Sequence, residues 1–561
     1  MSQIPVILFE PDGYVLDGPR LMGRQAAGHG FLRAVIAAAE QGVEPRSLMA
    51  WTASRSSAQV FDRLVRGQSE AVRPGWVPSS RLDLLASHGA LYLPGPGLAD
   101  AARQRLRMGP AAWSLTGTTH TLCSHGAMDA ILDMVTAPVM PWDALICTST
   151  VAQGVVRTLF QLQAEYLAWR FGAREFVIPQ LPVIPLGVHA ADFAFSVHDR
   201  ALARASLALA QDEVAVLFAG RLSFHAKAHP FPMLVALEQV ASRTRQKISL
   251  FLCGQFPNDA VQAAFMAAAA SHAPHVRTCR VDGRDFAAYS SAWAASDLFV
   301  SLSDNLQETF GITPIDAMAS GLPVVVSDWD GYKDTVVDGV TGFRIPTWMP
   351  PPDVGMSLAA AFEAGAINYD RYIGLACLEV SLDNEALIER LTALVTNPRL
   401  RAQMGAAGRD RVMQRYDWSV VMQQHQSLWQ QLDELRRQAA SVEAGVLGRA
   451  PRCAPGRQDP YRVFAGFPTR LIGPETRISL VQGLWPMPPW STLVAEPLFS
   501  YACDFLPSEA AVEQILALIP SGQSLTMEQL GVLSGLPLAE LIRMMAPLAK
   551  VGRVRFVDES L

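Results

Sequence analysis

Short apolar runs and amphipathic stretches alternate from Pro5 to about Ala190. Pro5-Val-Ile-Leu-Phe9 reads as a buried strand, Gly30 to Ala39 as an amphipathic helix, and Ala144-Leu-Ile-Cys147 as another strand. Leu181-Pro-Val-Ile-Pro-Leu-Gly187 reads as a strand punctuated by proline. The same grammar restarts after Ala191. Val214 to Ala219 predicts a strand and Pro230 to Val240 a helix. Ile248 to Leu252, Leu298 to Leu302 and Pro323 to Val326 predict further strands, each followed by a polar loop and a helical pattern. Strands alternating with helices predict parallel sheets covered on both faces. Two such α/β units, with no sequence repeat between them, would enclose a cleft, and open parallel sheets bind ligands in such clefts.

The pattern changes further on. Trp418 to Arg437 predicts one long amphipathic helix. From 438 to 507 the chain carries scattered arginines and the stretch Trp485-Pro-Met-Pro-Pro-Trp490, which cannot form regular helix and reads as a linker packed along a surface. Ser508 to Leu561 predicts helix, helix, turn, helix and a hairpin strand at Val551 to Phe556, an order that resembles a winged helix-turn-helix. Thr526 is the expected cap of its middle helix, and Gly535-Leu-Pro537 separates that helix from the third. The expected division is therefore 1–190, 191–437, a linker at 438–507 and a module at 508–561.

Composition narrows this further. The 561 residues are 50% hydrophobic and 17% charged, which excludes disorder as the dominant state. No uninterrupted apolar run is long enough to span a bilayer, and Glu10 and Asp12 follow the first apolar run too closely for an export signal. Seven scattered cysteines, without a Cys-x-x-Cys pair, fit reduced thiols and a cytoplasmic location. A net charge of −6 gives no general attraction to nucleic acid or anionic lipid.

Three constellations carry candidate chemistry. Gly220-Arg221-Leu222 follows a strand directly, with Lys227 six positions past the arginine. Two cations at the carboxyl end of a strand suit a diphosphate, although two surface cations would look the same. The segment Ser303 to Gly321 contains Glu308, a Phe310-Gly311-Ile312 turn and a helix expected to start at Thr313-Pro314, whose N-terminus is a natural anion site. Asp316 reads either as a functional carboxylate or as part of a capping box with Thr313. Asp328-x-Asp330 before Gly331 could hold a divalent metal, or form a loop at the cleft mouth where Gly331 lets backbone approach a ligand. In the first unit Leu21 to Gly30 lacks dinucleotide-binding glycine spacing, and no Gly-x-x-x-x-Gly-Lys-Ser/Thr loop occurs anywhere in the chain. His120 and His125 follow a predicted strand, and His120 is the preferred site residue.

With these residues in view, the segments Phe218 to Lys227 and Glu308 to Val325 resemble the family-4 glycosyltransferases of the GT-B fold. The resemblance covers residues 1 to about 435. It implies two Rossmann-like domains facing a cleft, and transfer of a hexose-type sugar from a nucleotide donor to an acceptor, with retained anomeric configuration and without a metal. By the same resemblance, Arg221 and Lys227 hold the donor diphosphate, Glu308 contacts the donor sugar, and backbone N–H groups at Phe310, Gly311 and Ile312 meet sugar or phosphate. Asp316 stands where the family's motif carries a ribose-binding glutamate, one methylene longer. Gly23 lines a phosphate or acceptor loop, His120 sits against the transferred sugar, and the 418–437 helix braces the first domain. A UDP- or GDP-sugar is the expected donor, with no other cofactor.

Two other readings stay open. One is a sugar-nucleotide epimerase of the same fold, which needs no acceptor. The other is a non-catalytic sugar-nucleotide sensor with the C-terminal module as its output. Residues 508–561 hold four basic against six acidic side chains, so that module is expected to dock a protein or glycan rather than DNA.

Overall fold

The computed structural model describes residues 4–16, 23–42, 46–442, 444–483 and 488–557. The chain divides into two compact units, Met1–Ala454 and Pro455–Leu561.

The first unit contains two six-stranded parallel sheets. One holds β1 (Val6–Leu8), β2 (Ser47–Thr52), β3 (Arg73–Pro78), β4 (Ala90–Tyr92), β5 (Ser114–Thr118) and β6 (Ala144–Ile146) in the order 3-2-1-4-5-6. The other holds β7 (Val214–Arg221), β8 (Ile248–Gln255), β9 (Val276–Asp282), β10 (Leu298–Ser301), β11 (Val324–Ser327) and β12 (Gly342–Ile345), in the order 9-8-7-10-11-12. The two orders are the same when counted from each sheet's first strand. Each reverses beside that strand, and the crevice outside the strand ends at such a reversal is where doubly wound sheets bind ligands.

Burial explains why these segments pair as parallel strands. Along β7 the side chains alternate: Val214, Val216 and Phe218 enter one core, while Ala215, Leu217 and Ala219 enter another on the opposite face. Helices such as Phe231–Thr244 and Ile312–Ala319 cover the two faces, so the strands read as continuous apolar runs. The edge strand β3 contains Pro74, Gly75 and Pro78, and that composition hides it from a periodicity reading. Leu181–Gly187 does not form the expected strand. It makes isolated parallel bridges through Gln180 and Val183, because Pro182 and Pro185 have no N–H to donate.

The helix Trp418–Val442 runs beyond its expected end at 437 and packs on the first sheet's core through Val421, Met422, Leu428, Trp429 and Leu432. Its crossing point is fixed by backbone pairing: Val188 N donates to Tyr416 O at 2.8 Å, and Trp418 N donates to Val188 O at 3.0 Å. The Trp418 ring fills the space where a Gly187 side chain would sit, since a Cβ there would lie 2.4 Å from the indole.

The second unit overturns the expected 438–507 linker. Arg477–Leu480 is the central strand of a three-stranded antiparallel sheet, flanked by Ser524–Thr526 and Val554–Val557. Trp490 is 1% exposed and donates its indole N–H to Pro507 O at 2.7 Å. It joins Ile478, Ile515, Leu541 and Met545 in the core of this unit. Residues 484–487 of the proline-rich stretch lie outside the described residues. Helices Glu509–Ala517, Met527–Ser534 and Leu538–Lys550 follow in the expected order. Thr526 and Gln529 form a full capping box, and Gly535 ends that helix at φ 70°. The strand expected as a hairpin pairs instead with Arg477–Leu480, far upstream.

Candidate active site

The cleft forms where the strand ends of the two sheets face each other. On the second sheet, β7 ends in Gly220-Arg221 beside Gly254 of β8. Gly254 has φ 151°, and a Cβ there would lie 1.8 Å from Gly220 O, so only glycine admits this approach. After β7 the chain turns so that Lys227 comes back under the strand ends. Ser303 Oγ donates to Lys227 O at 3.2 Å and Asn305 Nδ2 to His225 O at 2.7 Å, tying this turn to the loop after β10.

Three charged groups meet there. Lys227 Nζ forms an ion pair with Glu308. Arg221 Nη2 donates to Ala226 O and to Gln307 Oε1, each at 3.2 Å. Burial by itself would lower the Lys227 pKa, but the Glu308 carboxylate outweighs it and holds the ammonium charged. The helix Ile312–Ala319 starts two residues earlier than expected, at Ile312 rather than Pro314. Its N-cap is Gly311 at φ 75°, and no side chain caps it. Thr313 therefore is not the cap, and its hydroxyl is buried without a hydrogen-bond partner. The helix presents free N–H groups to the cleft beside two cations, an arrangement suited to an anion.

Asp316 forms no capping box either. It is 7% exposed and lines the cleft, and burial, reinforced by the negative charge of Asp192, pushes its carboxyl up to about 8. Asp328 and Asp330 sit apart from the cleft lining. Asp328 pairs with Arg344 at 3.4 Å, while Asp330 turns the chain at φ 45° with one carboxylate oxygen buried and unpartnered. Gly331 serves packing rather than ligand approach: a Cβ there would meet Phe310 Cα at 2.4 Å, so its backbone supports the Glu308–Ile312 loop from behind.

From the first sheet, the end of β5 places His120 in the cleft. Its Nε2 lies 2.9 Å from Pro94 O, and burial lowers its pKa, with the charge of Arg24 adding to the effect. His125 is directed elsewhere and stacks on Phe362 at 3.8 Å. Gly23 lines the cleft and lies in the helix Gly23–Glu40 rather than in a loop. Residues 17–22, which precede it, lie outside the described residues. Gly23, His120, Arg221, Lys227, Glu308, Phe310, Gly311, Ile312 and Asp316 thus all border one cavity of about 320 Å³. The sequence reading missed Arg24 and Tyr289, which also line it. An arginine in a helix and a tyrosine in an alanine-rich helix carry no spacing signal of their own.

Residues 199–349, which contain both cations, Glu308 and Asp316, match the family described as glycosyl transferases group 1. The chain carries a group 1 glycosyltransferase domain. Its GT-B architecture is the pair of Rossmann-like sheets described above. Among curated proteins, the transferase is 28% identical over 339 residues to a phosphatidyl-myo-inositol mannosyltransferase of Mycobacterium tuberculosis, covering 57% of this chain and 77% of that one. It is 29% identical over 192 residues to a D-inositol 3-phosphate glycosyltransferase of Segniliparus rotundus, covering 34% of this chain and 40% of that one. Among solved structures, a glycosyltransferase of Rickettsia africae aligns at TM-score 0.48 and 10% identity, over 72% of this chain and 94% of its own. HepE of Anabaena, in complex with UDP and glucose, aligns at 0.48 and 13%, over 75% and 98%.

Proposed function

We propose that the transferase moves a hexose from a nucleoside-diphosphate sugar to a hydroxyl of its acceptor, with retention of anomeric configuration and without a metal. The observation that carries this reading is the convergence of Arg221, Lys227, an uncapped helix N-terminus and the buried carboxyl of Asp316 on one cavity. Two cations and free N–H groups match a diphosphate, and the Asp316 carboxyl group a few residues into the helix matches the vicinal hydroxyls of a ribose. The mannosyltransferase relatives support a hexose as the transferred group.

In this reading the donor diphosphate displaces Glu308 from Lys227. Glu308 then accepts hydrogen bonds from the sugar hydroxyls. The bond from the sugar's anomeric carbon to the phosphate oxygen breaks, and the acceptor oxygen bonds to that carbon on the same face. The acceptor's proton passes to the departing phosphate oxygen, whose charge Arg221 and Lys227 stabilise in a site that largely excludes water. Donors aimed at such developing charge are each worth about 10²–10³-fold in rate.

Titration calorimetry with UDP-, GDP-, ADP- and dTDP-sugars tests the reading. One donor should bind the wild type, lose at least about tenfold in affinity in Lys227→Ala, and turn over equally with and without EDTA. A folded wild type that binds none of them sinks the proposal.

A further inference from the structure

The helix Thr150–Phe171 is anchored mainly through its first half. Ala152, Val156 and Phe160 are buried in a core of the first sheet, and no side chain from Gln161 to Phe171 is fully buried. The second half nevertheless carries large apolar groups on its surface. Leu162 is 55% exposed, Tyr166 52% and Trp169 78%, with the Tyr166 and Trp169 rings 5.8 Å apart. Single exposed apolar residues are ordinary, but a contiguous row of them marks an interaction site.

The spacing of this row is a heptad. Val155, Leu162 and Trp169 recur every seven positions, and Leu159 and Tyr166 follow the first two of them by four. At 3.6 residues per turn these positions share about a quarter of the helix circumference, turned about a third of a circle from the Ala152–Val156–Phe160 face. In heptad terms they are the a and d positions, Glu165 is at g and Arg170 at e, and both charges are exposed. Glu165 Oε1 accepts from Gln161 Nε2 at 2.9 Å on the same helix, and Arg170 lies over the Phe171 ring at 5.2 Å. Neither has an ion-pair partner among the described residues. When two such helices run parallel, each g side chain meets the next e side chain of the other helix, so Glu165 faces Arg170. When they run antiparallel, g meets g and e meets e, and no opposite charges are paired. Around the row Arg157, Arg170 and Arg174 alternate with Glu165 and Glu175, unlike the uniformly basic face of a helix that lies on anionic lipid.

We propose that this face pairs two copies of the chain, with their Thr150–Phe171 helices parallel and in register about a two-fold axis. Leu162 and Trp169 each meet their own counterpart, Tyr166 fills the layer between them, and two Glu165–Arg170 ion pairs flank the seam. The axis makes the contact self-complementary, so assembly closes at a dimer. A free helix of this length is marginal in water, but each is already folded on its own sheet, and pairing incurs no cost of helix ordering. None of these residues lines the donor cleft, so the inference stands apart from the transferase reading.

Sedimentation velocity on the full chain across the micromolar range should show a dimer, and Leu162→Lys should leave a monomer. Glu165→Arg and Arg170→Glu should each raise the dimer dissociation constant about tenfold, because the two-fold axis applies each change twice. Both reversals in one chain should restore the wild-type value, a rescue that a merely structural role would not give. Leu162→Cys should form an intermolecular disulfide with copper–phenanthroline as oxidant, beyond any formed by the wild type, whose Cys503 is exposed. The side chains replaced are at the surface, and unchanged far-ultraviolet circular dichroism separates loss of pairing from loss of folding. A full chain that stays monomeric, a dimer that Leu162→Lys leaves intact, or a double reversal that fails to restore pairing overturns the proposal. A monomer that floats with phosphatidylglycerol vesicles, and no longer does so as Trp169→Ser, overturns it in favour of a lipid surface.

Discussion

Asp316 combines a buried carboxyl, a pKa raised to about 8 and a position on the cleft wall. The unfolded chain releases this proton near pH 3.8, whereas the folded chain keeps it to about 8. Between these values the folded state binds more protons, so this group's contribution to stability is complete below the unfolded value and is lost as pH rises through 8. Asp316→Asn keeps the shape and removes the charge. Its melting temperature relative to wild type should therefore become more favourable from pH 5 to pH 9, by several degrees, in thermal scans without donor. A difference that stays flat across that range would show that Asp316 is already ionised in the empty cleft. The family resemblance pointed to this position, but a capping box with Thr313 explained the same residue equally well. What decides between them is burial and the start of the helix at Ile312, which depend on tertiary packing.

The two domains of the first unit are joined through a helix terminus. The helix Thr150–Phe171, which follows β6, has its N-terminus against the second domain. Asp334 accepts from Thr150 N and from Thr150 Oγ1, both at 2.6 Å, and a carboxylate at that end also complements the helix dipole. Ser149 Oγ donates to Thr309 O at 2.7 Å, inside the loop that carries Glu308. Arg411 and Tyr416 hold the Asp334 carbonyl at 2.7 Å and 3.0 Å, so the carboxylate is presented from a fixed backbone. Asp334→Ala should loosen the approach of the domains, raising donor KM several-fold and increasing the radius of gyration in small-angle scattering. Asp334→Asn, which keeps one acceptor oxygen, should fall in between. Unchanged KM and scattering in Asp334→Ala would remove this contact from the account of closure. Such contacts between distant segments leave no periodic trace. The second sheet was legible because runs such as Pro323-Val-Val-Val326 are apolar on both faces, whereas β3, built from Arg73-Pro-Gly-Trp-Val-Pro78, takes its strand geometry from pairing along β2.

For the whole molecule, the decisive boundary is the one after Ala454. A sequence reading places the break at 507/508, because Trp485 to Trp490 is rich in proline and looks like a tether. Trp490 is instead a core residue of the second unit, and Arg477–Leu480 is the strand on which both Ser524–Thr526 and Val554–Val557 pair. Removal of residues 508–561 would therefore strip the partners from a central strand and expose Ile478 and Trp490. An unpaired strand edge beside apolar side chains is a template for aggregation. Removal of 455–561 takes away a complete hydrophobic core and leaves the cleft intact, since every residue named in it precedes 454. Two truncations separate these outcomes. The chain ending at Ala454 should be monodisperse and bind the nucleotide sugar with wild-type affinity. The chain ending at Pro507 should aggregate on size-exclusion chromatography. If the chain ending at Ala454 is folded yet loses donor affinity, the second unit takes part in donor binding. If the chain ending at Pro507 behaves as well as the shorter one, residues 455–507 do not need the helices that follow them, and the strand pairing through Arg477–Leu480 contributes little to the stability of the second unit.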